Sequence, residues 1–589
     1  MAKFTPGIVY IARSIHKLLF PPLLVCLTAY LADQVFNVKL PLLFIIPSCL
    51  LSLPTALWLS IQWSEYRVQH EAAAHGAVLP RSVDSKLPFG LDIAKQAFYS
   101  FKHEFFANHF FEWSRKYGYT FRFGIFGEKR YFTSEPEYIK SMLATDFNSF
   151  AKGSVLKFQM QSLFGDGVFN VDGDMWKFHR GMTRPFFSKD RIGHFDIFDR
   201  NTEEVLRLIQ KRNDEGYPVD FQELILRFTL DSATEFLFGK NVNSLSDHLL
   251  YPPTAVKNQE RGFANKFAEE FALAQWKTTL RGRFSTAWPL MEITRDRVAD
   301  HMDAINAVVD PIVQNALEKK SRQGEGEKTE TLEDDTLLSH LINVSDDPSI
   351  IRDETLNILL AGRDTTAATL TFAIYELSRH PEMMQRLREE ILSKVGPTRR
   401  PTYEDIKDLK YLRAFLNEVL RLYPPVALNV RSSTQPMVWS TAKGRPPIYV
   451  APNTRVAFSC FVMHRRKDLW GPDATTFDPD RFIDERLNKY LLPNPFIFLP
   501  FNGGPRICLG QQFAYNEMSF MIIRLLQRFS SIELFQKESV ADPDNLPSEL
   551  YLSSEGTDGT DQIRIKNHII IYSVGGLWVK MKPANDAQL

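Results

Sequence analysis

The stretch FNGGPRICLG, Phe501 to Gly510, sets one of only four cysteines among three glycines, with an arginine two residues before it and a phenylalanine at its start. The residues that follow, LGQQFAYNEMSFMIIRLLQRF, carry apolar side chains at helical spacing, so Cys508 lies at a helix N-terminus. There the helix dipole and the free N–H groups favour a thiolate. Gly503, Gly504 and Gly510 let the backbone come close to something flat and bulky, and Phe501 can shield the sulfur from water. Arg506 offers a fork for carboxylates. A buried structural cysteine is the plain alternative. A cysteine nucleophile would need a histidine partner, and none is suitably placed nearby in sequence.

Upstream, IIRDETLNILLAGRDTTAATLTFAIYELSRHP, Ile350 to Pro381, is the longest helical signal in the chain. Asp347 and Pro348 make a start and Pro381 a stop, which predicts a helix of roughly thirty residues that must run through the domain. Within it Ala361, Gly362, Thr365 and Thr366 share one small face, and Arg363 points away. Threonine hydroxyls can turn back onto preceding carbonyls and Gly362 loosens the same turn, so the backbone here is expected to open and accept water. A Gly/Thr helix packed closely on another helix would read the same way. Between this helix and Cys508, NEVLRLYPPVALNVR places Glu418 and Arg421 one turn apart in apolar sequence, and FDPDRF supplies Arg481. Glu-x-x-Arg alone says little, since it also occurs at Glu204/Arg207, Glu292/Arg295 and Glu376/Arg379. A carboxylate between two guanidiniums, if buried, would pin helix to loop.

A thiolate, a flat partner and anionic groups together describe haem b held through its iron, with Arg506 on a propionate. The rest of the composition narrows the alternatives. Lys+Arg and Asp+Glu both number 70, which gives no support to nucleic-acid binding. The cysteines at 26, 49, 460 and 508 form no CxxC pair, so neither a disulfide framework nor a structural zinc site is expected. From Leu40 to Trp63 there are 24 uncharged residues, enough to cross a bilayer despite Pro41, Pro47 and Pro54. A shorter run, 18–32, reads as a second span or an interfacial helix. Lys3, Arg13 and Lys17 before the first run, and Arg67 and Arg81 after the second, place both flanks on the cytosolic side and favour a hairpin or a re-entrant first segment. The predicted division is an anchor over 1–66, a linker over 67–99 and one domain over 100–589. Ser321–Thr336 reads as a surface loop.

FNGGPRICLG, with Phe501, Gly504, Arg506, Cys508 and Gly510, resembles the haem signature of the cytochrome P-450 family. AGRDTT resembles that family's oxygen-activating helix, Glu418 and Arg421 with Arg481 its buried triad, and DMWKFHR its Trp-x-x-x-Arg propionate contact. AGRDTTAATLTF and FGDGVFNVDGDMWKFHR further resemble the fungal branch acting on long-chain alkanes and fatty acids. The resemblance implies a mainly α fold with small β-sheets, a helical prism around haem b. It implies Cys508 as axial iron ligand, Thr365 and Asp364 as the proton-steering pair, and Trp176, Arg180, Arg431 and Arg506 on the propionates. It also implies O2 as co-substrate, a separate NADPH-dependent flavoprotein reductase, and an endoplasmic reticulum membrane with the domain facing the cytosol. The expected reaction is hydroxylation at or near the end of a long aliphatic chain. A broad xenobiotic or aromatic oxidase, a haem-thiolate isomerase or dehydratase, and a haem sensor remain open. FAKGSVLKFQMQSLFG near 150, FANKFAEEFALAQW near 263 and SVGGLW at 573 are the expected substrate lining.

Overall fold

In the computed structural model the described residues are 4–584 without 188–194, 256–260, 324–335, 441–445 and 558. Two long helices open the chain. Pro6–Phe36 ends on Asn37, whose φ of 57° turns the backbone, and Leu42–Ala74 returns from Pro41. Pro21 and Pro22 in the first helix and Pro47 and Pro54 in the second end neither. At about 1.5 Å per residue either helix exceeds the roughly 30 Å of bilayer hydrocarbon. Leu23, Leu43 and Phe44 are among many large apolar side chains that face outward, and both helices are apolar enough to cross a membrane. They mark the part of the chain that associates with one. The shorter first run expected over 18–32 is thus a helix as long as its neighbour, packed beside it, with Cys26 Sγ 3.7 Å from Cys49 Sγ.

Both open ends of this hairpin sit on the folded domain. At the first, the Gly7 N–H donates to the Glu292 carbonyl at 3.1 Å and the Thr5 hydroxyl to that of Ile293 at 2.6 Å. A Cβ at Gly7 would stand 2.5 Å from the Ile293 Cα, so only glycine permits this approach. At the second, Glu65 pairs with Arg122, and the Tyr449 hydroxyl donates to Glu71 at 3.0 Å. The second helix runs on to Ala74, and Arg81–Ser82 then pairs in parallel with Thr120–Ile125. The stretch 67–99 therefore holds a helix end, a sheet edge and the start of Leu91–His103. Lys3 and residues 324–335 of the expected loop lie outside the described residues.

The main sheet has six strands in the order Arg81–Ser82, Thr120–Ile125, Glu128–Thr133, Arg455–Phe458, Asn429–Ser433, Phe150–Ala151. The rest of the domain is mainly helical. Pro348–Arg379 runs through it as one helix of 32 residues: Asp347 caps the first turn by accepting from the Ser349 N–H at 2.9 Å, and Pro381 opens the next helix. Leu370, Phe372, Ile374 and Tyr375 are fully buried, in one core cluster with Phe520, Met521 and Ile522 of Gln511–Arg528. The central helix and the helix after Cys508 are thereby fixed against each other.

Candidate active site

Cys508 stands two residues ahead of Gly510, the N-cap of Gln511–Arg528. Its N–H donates to the Phe501 carbonyl at 3.0 Å, which folds the loop back on itself. Gly504 is required there: its φ is +65° and a Cβ would lie 1.7 Å from the Leu143 carbonyl oxygen. The close approach it permits is therefore to protein backbone. Gly503 is extended and Gly510 would place a Cβ at 3.6 Å from Phe187, so neither is demanded by a protein neighbour. Cys508 opens onto a cavity of about 580 Å³. Enclosure by the surrounding protein pushes its thiol up, while the Gly510 N–H and Arg180 pull it down.

Twelve phenylalanines line this cavity and, among the described residues, no acid does. Four cations gather near the cysteine: Lys152, Arg180, Arg431 and Arg506. Arg506 donates to the Val171 carbonyl at 2.9 Å and to Asp172 at 2.8 Å, and lies 4.5 Å over the Trp176 ring. Asp172 also accepts from the Lys152 and Gly153 N–H groups. Arg431 reaches only the Asn429 amide oxygen and the Val430 carbonyl. Burial and the neighbouring Arg506 push Arg431 down to about 10, against the weaker pull of Asp172. Burial, opposed by Asp172, brings Arg506 down to about 10 as well. Lys152 falls well below its usual value through burial, then Arg431 and Arg506, and burial lowers Arg180. One carboxylate among four cations, of which Arg431 is fully buried, leaves an arrangement that calls for anions. Lys152 is a residue the sequence reading missed, because its stretch was read for its apolar residues alone.

On the opposite wall Ala361, Gly362, Thr365 and Thr366 face the cavity. The Thr365 hydroxyl donates to the Ala361 carbonyl at 2.7 Å, and the helix stays continuous where an opening was expected. Asp364 does not line the cavity: it is buried on the other side, accepting from Gln275 at 2.6 Å and Arg363 at 2.8 Å. Arg363 is also buried, over Phe267 and Phe271.

Glu418, Arg421 and Arg481 come together as expected and are wholly buried. Arg421 holds Glu418 bidentately at 2.6 and 2.7 Å, and Arg481 and the Asp478 N–H complete it at 3.0 and 2.8 Å. The remaining Arg421 donors go to the carbonyls of His464, Ala474 and Thr476. Among the expected lining stretches, Leu156, Met160 and Phe164 do face the cavity. FANKFAEEFALAQW and SVGGLW do not; Thr278–Arg283 and Asn567–Ile570 take their places. Phe267 and Phe271 are core residues, and SVGGLW forms the turn into Trp578–Pro583.

The family model of cytochrome P450 matches residues 93–557. The chain belongs to the cytochrome P450 family. Among its relatives are cytochrome P450 52A5 of Candida maltosa, 37% identical over 423 residues, which covers 70% of this chain and 77% of the relative. Cytochrome P450 52A1 of Candida tropicalis is 36% identical, over 72% of this chain and 76% of its own length. Cytochrome P450 monooxygenase pvhE of Talaromyces variabilis is 33% identical, over 80% and 87%. This chain is a cytochrome P450 monooxygenase, and such an enzyme uses a haem-iron cofactor, O2, a substrate and a redox partner. The site fits the cofactor. Of the two thiols that line the cavity, Cys508 is the exposed one and provides a ligand atom, and the excess of cations beside it suits a flat dicarboxylate.

Proposed function

We propose that this cytochrome P450 hydroxylates long-chain aliphatic substrates, fatty acids or n-alkanes, at or near the chain end. The observation that carries the reading is the cavity itself, lined by twelve phenylalanines and by small residues of the central helix next to Cys508. Each methylene buried there contributes about 0.8 kcal/mol, so a long chain binds with few polar contacts. The membrane-associated hairpin keeps the domain where such chains partition.

The cofactor of this reading is haem b, which when bound supplies the activation of O2. Cys508 Sγ would hold its iron, and Arg180, Arg431, Arg506, Trp176 and Lys152, which line the same cavity, would hold its carboxylates. The phenylalanine walls exclude water and orient the chain. Thr365 Oγ1 hands a proton into the cavity once it turns from the Ala361 carbonyl. Asp364 can relay a proton to Thr365 only after its bonds to Arg363 and Gln275 open and it has itself taken a proton from water. Electrons come from a separate NADPH-dependent flavoprotein reductase, with the domain on the cytosolic face of the endoplasmic reticulum.

The test is a reconstituted reaction with NADPH and reductase against fatty acids and n-alkanes of increasing length and a panel of polycyclic aromatics, with products identified. Affinity that grows with chain length and terminal oxidation support the proposal. Flat affinity with faster turnover of aromatics overturns it.

A further inference from the structure

The cavity carries a second centre of positive charge, apart from the cluster at Arg506. Seven cations line it. Arg130 and Arg455 hold Glu128 at 3.0 and 3.2 Å, and Lys152, Arg180, Arg431 and Arg506 stand around Asp172 and Cys508. Arg283 belongs to neither group. It closes Phe263–Arg283, where a cation is favoured by the helix dipole, but Arg281 one position before Gly282 is already tied to Glu292 at 2.7 Å and Asp296 at 2.6 Å. Among the described residues no carboxylate meets Arg283, and its buried Nη1 bonds nothing.

Its guanidinium lies 3.3 Å from the centre of the Phe101 ring and 5.2 Å from that of Trp276. Lys566 Nζ reaches the same Phe101 ring at 5.8 Å. Burial pushes Arg283 down to about 9, opposed only by the Tyr572 hydroxyl, so it is cationic at neutral pH. Burial, then Arg564 and Arg283, lower Lys566. Two cations thus converge on one aromatic ring: Arg283 lines the cavity with no acid in its wall, and Lys566, which has Asp544 near it, stands off the lining. A guanidinium is the group whose planar fork matches a carboxylate bidentately.

We propose that Arg283, with Lys566 beside it, binds the carboxylate of a long-chain fatty acid, directing the methyl end toward Cys508. This rests on the aliphatic-hydroxylase reading above and narrows its substrate class from aliphatic chains in general to those with an acidic head. The position agrees with the source of such molecules. Nine residues beyond Arg283 the chain reaches Glu292 and Ile293, which receive the first turn of the anchor hairpin, and Leu290, Met291 and Ile293 beside them are exposed. A fatty acid leaving a bilayer tail-first would bring its carboxylate to this side last.

The test compares hexadecanoate with hexadecan-1-ol, equal in length but neutral at the head, on the haem-loaded full chain. Binding is read from the haem absorbance change and, independently, by calorimetry. Loss of one charge-assisted contact predicts that Arg283→Gln weakens hexadecanoate about tenfold to a hundredfold and hexadecan-1-ol by less than about twofold. Arg283→Lys, which keeps the charge but not the fork, should recover only part of the affinity, and Arg283→Gln should spread oxidation of hexadecanoate over several carbons. Equal weakening of both ligands, or of neither, overturns the anchor. If the wild type hydroxylates hexadecan-1-ol at its far end while Arg283→Gln leaves hexadecanoate binding unchanged, the anchor falls and the proposed function stands. If the selective loss of binding is seen but the wild type oxidises neither chain terminally, the anchor stands and terminal hydroxylation falls.

Discussion

Two arginine clusters in this molecule have similar composition and opposite character. Around Glu418 every donor of Arg421 finds an oxygen within the protein, and all three charged residues are sealed from water. Around Asp172 only Arg506 pairs with the carboxylate, while Lys152, Arg180 and Arg431 also open on the cavity with no carboxylate of their own. A saturated cluster has nothing left to bind and serves the fold. An unsaturated one is costly until a ligand completes it, and so serves the ligand.

That contrast can be broken by experiment. The largest effect expected is at the closed cluster: Glu418→Ala leaves two buried guanidiniums without a counter-ion and should cost about 3–5 kcal/mol, read as a steep fall in thermal midpoint and in yield. A midpoint within a degree of the wild type would mean that the cluster is not the lock described here. At the open cluster, removing Cys508 should spare the fold and abolish the cofactor signal. Cys508→Ser is expected to keep the midpoint of the haem-free chain while losing the thiolate-type spectrum of the reduced carbon monoxide complex, because a hydroxyl is a poorer anionic ligand; an unchanged spectrum sinks the ligand assignment. Arg431→Gln sharpens the comparison further. It removes one cation from an excess, so the haem-free chain should be no less stable, whereas haem should leave about tenfold faster for want of a charge-assisted contact. Haem loss at the wild-type rate would count against Arg431 as a propionate contact. The smallest effect belongs to Arg207→Ala, which breaks a pair with Glu204 on an exposed helix surface. Less than about 0.5 kcal/mol is expected there by chemical denaturation.

These four Glu-x-x-Arg sites also show what could be read from sequence. Glu204 and Arg207 do pair, but in solvent. Glu292 turns to Arg281 instead of Arg295, and Glu376 accepts the Tyr423 hydroxyl at 2.5 Å with Arg379 only at 3.5 Å. The motif is the same four times; apolar neighbours and the following Pro424 and Pro425 singled out Glu418. Features set by local chemistry were legible: the central helix starts at its Asp-Pro cap and stops before Pro381, and the Cys508 loop leads into its helix. Features set by distant partners were not. The resemblance pairs Asp364 with Thr365 in steering protons, yet Arg363 and Gln275 hold it away from the cavity. The aromatic residues before Trp276 share a helix with Thr278–Arg283, yet only the last turn reaches the cavity. Lys17 and Asp33 bounded the apolar run read as the first anchor segment, but the helix continues past both charges, from Pro6 to Phe36.

The two-point docking of the hairpin has a further consequence. A domain tethered by one slack strand would tumble over the bilayer, and its entrance would meet the surface only part of the time. Here Gly7 at one end and Glu65 and Glu71 at the other clamp the domain to its own anchor like a bracket with two bolts. Orientation is then a fixed property of the chain, and substrate supply becomes a matter of lateral diffusion in two dimensions to a doorway whose bearing does not change.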